Sequence, residues 1–222
     1  MTERLRRLRT VPPRAAVRIT VAAVVVLAVL STYYDSSTRE VVNPVNFFGF
    51  FTMQGNLLAA AALGVAAVLE LRRRAQPDWL TPARAVVTTD MIVIGLVYNL
   101  LLADIPGGAE LPWANWVLHV GFPVYAVLDW LLAGDRRPLP YRVIRLILIH
   151  PLLWAAVVLV RGATDGWVPY PFLDPAGGYG SVSLYVVGIA SSFALIGALI
   201  ILISRRVPPP RLPWPVARSA TA

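Results

Sequence analysis

The stretch WANWVLHVGFPVYAVLDW (113–130) reads as a membrane-spanning helix, yet it carries Asn115, His119 and Asp129 inside the apolar run. An ionisable group in hydrocarbon costs a few kcal/mol on insertion scales, and more in other treatments. A histidine about two turns below the helix entry is therefore a candidate functional group. The rest of the chain is read for its partners.

The 222 residues are 57% hydrophobic and only 14% charged. Soluble domains carry roughly 25% charged residues and lack repeated 20-residue apolar runs. The chain is thus expected to be an all-α, polytopic membrane protein. Its net charge is +8, and every basic residue is arginine. Absence of lysine beside heavy use of Ala, Val, Pro and Arg points to a GC-rich bacterial genome. The arginines lie between the apolar runs, so topology accounts for the basic balance and no nucleic-acid partner is expected. The absence of cysteine excludes disulfides, thiolate chemistry and cysteine metal sites. Two histidines with no HExxH spacing give no metal expectation.

Residues 1–14 read as a basic, proline-broken cytoplasmic arm, and 205–222 as a proline-rich cytoplasmic tail. Between them six spans are expected, at about 15–34, 46–71, 84–103, 113–133, 141–160 and 181–204. The first resembles a signal peptide but is too long and lacks a clear cleavage site, so it reads as uncleaved. All arginines except Arg39 and Arg161 fall at one end of this up-and-down arrangement. Cytoplasmic segments collect basic residues, so both termini are expected in the cytoplasm. Tyr33, Tyr34, Trp113, Trp116, Trp167 and Tyr170 then mark the outer interface, and Trp79, Trp130 and Tyr141 the inner one. A bacterial cytoplasmic membrane is the expected location.

Thr52 lies six residues into the second span and His119 six residues into the fourth, each about 9 Å deep from the outer side. Asn99, four residues before the end of the third span, is about 6 Å deep. These three share one layer. Asn56 is one turn from Thr52, and Asn115 one turn from His119. The chemistry open to such a set is acyl transfer. A neutral histidine can take the proton of a threonine hydroxyl, and Asn56, Asn99 or Asn115 could donate to an oxyanion. No carboxylate lies at this depth, so the machinery would be a dyad, oriented by Asn115 or a backbone carbonyl. The plainer reading is that Thr52 bonds its own i−4 carbonyl and that Gln54 and Asn56 hold helices together. Asp90 and Asp129 lie in the inner half, within reach of cytoplasmic arginines. His150, before Pro151 near mid-membrane, is the rival histidine. Gly55, Gly64 and Gly95 are expected to allow close helix approach. The segment GATDGWVPYPFLDPAGGYG (162–180) reads as a lid or rim over the outer end.

Three segments, NFFGFFTMQGNLL (46–58), WANWVLHVGFPVYAVLDW (113–130) and GWVPYPFLD (166–174), resemble the androgen-induced transmembrane hydrolase family. The chain is similar to its bacterial six-span branch. The resemblance implies a threonine hydrolase acting on fatty acid esters of hydroxy fatty acids, with no cofactor. It implies Thr52 as nucleophile, in the phenylalanine-rich segment, and His119 as the essential histidine, with Asn115 and Pro123 around it. Trp167, Tyr170 and Phe172 fall in the third segment, as candidate pocket rim, with Pro169 as an extra residue. The tail RLPWPVARSATA shows no ER-retention signal, so the family's location is not implied. Membrane lipids and a lipid ester are the expected partners; oligomeric state is not written in the sequence. Two other classes remain open. A small proton-coupled transporter would use Asp90, Asp129, His119 and His150, although the sequence shows no repeat of short or broken helices. A non-catalytic lipid-binding scaffold would not depend on Thr52 and would depend on its surface aromatic residues.

Overall fold

A computed structural model describes residues 12–104 and 111–208. Residues 1–11 of the basic arm and 209–222 of the tail lie outside them. Every regular element among the described residues is helical. Helix α1 spans Pro13–Ser37, with its first turn opened by Pro12-Pro13, where a missing N–H costs nothing. Helix α2 (Pro44–Gly49) is capped by the Asn43 side chain, which accepts from the Val45 N–H at 2.9 Å. Helix α3 (Phe51–Leu71) follows after a single extended residue, Phe50, at φ −61° and ψ 136°. Helix α4 (Leu80–Val97) runs on into a π-helical turn, Tyr98–Leu102. Helix α5 (Pro112–Trp116), a second π turn (Val117–Gly121) and α6 (Phe122–Leu132) form one helical run. Helices α7 (Val143–Thr164) and α8 (Tyr179–Arg206) complete the bundle, joined by a segment with two short 3₁₀ turns.

Five of these helices are long and apolar enough to cross a membrane: α1, α3, α4 with its π turn, α7 and α8. The fourth expected span, 113–133, is the divided run 112–132. The lipid-type surface is plain on α7, where Leu146, Ile149, Leu153, Val157 and Val160 stand exposed along one side. A soluble protein would not leave so long an apolar face uncovered. Helix α4 is the centre of the bundle, packed against α3, α6, α7 and α8, while α1 packs on α3 and the start of α5.

Residues at one end are tied together: Arg14 bonds Glu70 and Ala133 O, and Arg136 bonds Val207 O at 2.7 Å. This is the terminal end. The other, distal, end carries the 38–43 and 165–178 segments. Close approach is where the glycines predict it at two positions of three. A methyl group on Gly55 would stand 2.6 Å from Ile94 Cδ1, and one on Gly95 3.2 Å from Pro123 Cβ. Gly64 meets nothing within 4 Å, so its expected packing role is not what the bundle uses.

The breaks at 117–121 and at Phe50 have local causes. Pro123 has no N–H to give the carbonyl four residues back, that of His119. The helix widens into the π turn there, and Asn99 Nδ2 donates to His119 O at 3.3 Å. At Phe50 the freed carbonyls find side chains. Gln54 Nε2 lies 3.1 Å from Phe48 O and 3.4 Å from Gly49 O, and Trp154 Nε1 donates to Gly49 O at 2.8 Å. Broken backbone at membrane depth is tolerated where neighbours satisfy it in this way. The sequence shows no obvious repeat of short or broken helices; the structure has breaks at Phe50 and at 117–121.

Candidate functional site

The break at Phe50 fixes the environment of Thr52. As the second residue of α3, Thr52 sits in a first turn whose N–H groups have no helical acceptors. Its own N–H lies 3.4 Å from the Tyr170 hydroxyl, and its Oγ1 3.5 Å from the same oxygen. Other hydroxyls on these helices behave differently. Thr32, Thr89, Thr164 and Ser192 each donate to the carbonyl four residues back. That is the ordinary fate of a threonine in a membrane helix, and Thr52 does not share it.

Thr52 and Tyr170 lie on the wall of a cavity with about 750 Å³ of empty space, its open mouth included. Tyr98, Trp154, Phe172 and Phe193 also line it, and the lining is almost wholly apolar. Of the expected rim residues, Tyr170 and Phe172 face this cavity. Trp167 instead packs edge-on against Phe50, beneath the Arg161 guanidinium 4.3 Å above its ring. Burial pushes the Tyr170 phenol upward, against the Thr52 hydrogen bonds that lower it, so it stays a neutral O–H.

His119 lies in the π turn, buried, with its ring stacked on Tyr98 at 3.7 Å between centroids. Its Nδ1 is 3.1 Å from Asn115 O. A carbonyl only accepts, so Nδ1 carries the proton and Nε2 of the neutral ring keeps its lone pair. Thr52 and His119 are brought onto neighbouring elements: Asn56 Nδ2 bridges Thr52 O at 2.8 Å and Leu118 O at 3.3 Å. The hydroxyl and the imidazole make no hydrogen bond to each other; Tyr170 and Asn115 O are their respective partners. The amides are committed as well. Asn99 donates to Gly95 O and His119 O, and Asn115 to the Tyr98 hydroxyl. Asn56 and Asn99 thus tie backbone carbonyls.

One contributor, Tyr98, is not among the expected site residues, and Tyr170 is expected only as pocket rim. Tyr98 stands beside Asn99 at the same depth, a signal that was there to be read. The role of Tyr170 as the hydrogen-bond partner of Thr52 had none, because it depends on how the 165–178 segment folds back.

The acidic residues divide. Asp129 does pair with arginines: Arg18 Nε at 2.7 Å and Arg84 Nη2 at 2.7 Å, inside a buried cluster with Asp135. Asp90 instead meets His150, Oδ2 to Nδ1 at 3.0 Å. Among the described residues no three His, Asp or Glu side chains converge in a way that could hold a metal ion. No protein-family model, curated protein or solved structure matches this chain.

Proposed function

We propose that this protein is an integral-membrane lipid-ester hydrolase with Thr52 as nucleophile and His119 as base. In this reading it has six spans in a bacterial cytoplasmic membrane, with both termini in the cytoplasm. The observation that carries it is the helix break. Thr52 is freed from its i−4 carbonyl and set in a first turn whose N–H groups have no helical acceptors, on the wall of an apolar cavity. The likeness of three segments to the androgen-induced hydrolase family supports the same two residues.

An acyl chain would occupy the cavity with its ester carbonyl near the position the Tyr170 hydroxyl holds. Thr52 Oγ1 then attacks the carbonyl carbon while Nε2 of His119 takes its proton. The oxyanion would accept from the first-turn N–H groups of α3, that of Thr52 among them, once Tyr170 has moved off them. These replace the asparagine amides, which are committed elsewhere: Asn56 and Asn99 to carbonyls, Asn115 to the Tyr98 hydroxyl. His119 returns its proton to the leaving alcohol, and a water activated by the same nitrogen hydrolyses the acyl-threonine. Thr52 and His119 must close on each other when substrate displaces Tyr170, as catalytic hydrogen bonds commonly tighten in the complex.

The test is labelling of the purified full chain in lipid by a fluorophosphonate probe, with the modified residue mapped by mass spectrometry. Wild type is expected to label at Thr52. Thr52→Ala should abolish labelling, and His119→Ala should slow it about 10²–10⁴-fold, with thermal unfolding unchanged in both. A folded wild type that takes no label, or labels equally in Thr52→Ala, defeats the reading.

A further inference from the structure

Away from Thr52, three polar side chains from three helices meet in the middle of the bundle. Asp90 of α4 is fully buried. His150 of α7 places Nδ1 3.0 Å from Asp90 Oδ2 and Nε2 3.4 Å from Gln54 Oε1 of α3. Its ring stacks on Phe51 at 4.7 Å.

The donors and acceptors settle how many protons this trio holds. Gln54 directs its Nε2 at Phe48 O and Gly49 O. Carbonyls only accept, so the amide N–H₂ must face them and Oε1 must face His150. An amide oxygen also only accepts, so His150 Nε2 carries a proton. Between Nδ1 and the Asp90 carboxyl a second proton is required, whichever of the two atoms holds it more tightly. The pair therefore carries one proton more than an ionised carboxylate beside a neutral imidazole.

Electrostatics agrees. Without that proton Asp90 would be a bare carboxylate, and its Oδ1 already has no hydrogen-bond partner. No countercharge is at hand. Helix α3 is uncharged from Phe51 to Leu69, and α8 from Tyr179 to Ser204. On α4, Arg84 is committed to Asp129 and Asp135. On α7, Arg145 is exposed five residues before His150, and Arg161, eleven residues after it, is paired with Asp165. A lone buried charge is costly, and a neutral pair avoids it.

A groove reaches the pair. The Asp90 side chain is 0% exposed and that of His150 20%. His150 and Gln54 line a groove that leads past Trp154 to Arg161 and Trp167 at the distal end. We propose that Asp90, His150 and Gln54 form a proton-binding site, filled from this groove through His150, whose proton holds the helix break before α3. Loss of the proton to water in the groove sets a nitrogen lone pair against an oxygen. Gln54 must then turn, and in turning it releases the Phe48 carbonyl and leaves Gly49 O to Trp154 alone. Proton occupancy is thereby coupled to the geometry of the first turn of α3. The inference needs no chemistry at Thr52.

Only two histidines are present, which makes ¹⁵N ring-labelled histidine the direct probe. The full chain would be studied in lipid nanodiscs at neutral pH, with His119→Gln identifying the His150 signals. The expected spectrum has Nε2 of His150 protonated and Nδ1 sharing a proton. Asp90→Asn should leave one bare ring nitrogen at the same pH. Gln54→Met, which removes the acceptor at Nε2, reads the same effect if Asp90→Asn fails to fold. Protection of the 50–53 amides, measured against their intrinsic exchange rate at each pH, should fall in step as raised pH removes the proton. A wild-type His150 with a bare Nε2, spectra unchanged in both variants, or protection indifferent to the titration would each overturn the proposal.

Discussion

At the scale of single residues, the Tyr170 hydroxyl is the group on which the Thr52 environment turns. It lies within hydrogen-bond reach of both the backbone N–H and the side-chain oxygen of Thr52, across 118 residues of sequence. Tyr170→Phe keeps the ring that stacks on Phe172 and meets Phe50 edge-on, and removes only the oxygen. A buried N–H is then left without a partner, which costs about 1–3 kcal/mol. The expected outcome is a thermal unfolding midpoint lowered by a few degrees, with the apolar packing intact; an unchanged midpoint would show that this hydrogen bond contributes nothing. That Thr52 and His119 share one level of the bundle was legible, because rise per residue converts position in a span into distance, and Asn56 spans the two elements there. The partner of Thr52 was not, because span arithmetic says nothing of a loop that returns to the bundle.

At the scale of elements, apolar run length located the helices to within a few residues, from 15–34 against Pro13–Ser37 to 181–204 against Tyr179–Arg206. It could not locate their breaks. The run NFFGFFTMQ stays apolar through Phe50, so hydropathy passes over a residue whose backbone is extended. The signal available was Gly49 itself. Its face is covered by Trp167, whose ring carbon would stand 2.8 Å from an added methyl group. Gly49→Leu should therefore push Trp167 off α2 and loosen the 165–178 segment while the bundle holds. Hydrogen exchange followed by mass spectrometry is expected to rise across 166–174 and stay level in α4 and α6. A rise spread evenly over the chain, or none in that segment, would show that Trp167 does not anchor it. Pro123 likewise announced an interruption, but its consequence, a π turn stitched by Asn99, required knowing that the third and fourth expected spans touch.

For the whole molecule, the arginines that gave the expected topology also hold the terminal end together. Arg18 and Arg84 each contact both Asp129 and Asp135 at 2.7–3.2 Å, and both guanidiniums are almost fully buried. The square joins α1, α4 and α6 with two charges of each sign. Counting arginines by loop showed which end they share, but not that two of them are interior. Removing one leaves an uncompensated buried carboxylate, so Arg18→Met should destabilise by about 3–5 kcal/mol. Removing a pair restores neutrality. Arg18→Met with Asp129→Leu should therefore cost less than the sum of the two single changes by about 1 kcal/mol or more. Strict additivity in unfolding measurements would mean the charges do not act as a unit. The acid side gives an independent reading. Burial works to raise the Asp135 carboxyl, but Arg84 and Arg18 outweigh it and hold it well below the ordinary 3.8. A carboxyl with a depressed folded-state value stabilises fully above the unfolded one and loses that contribution as pH falls toward the folded one. Wild type should accordingly keep its stability down to about pH 4 and lose it below. Asp135→Asn should start lower at neutral pH and show a flatter acid limb, because it has one fewer carboxylate to protonate.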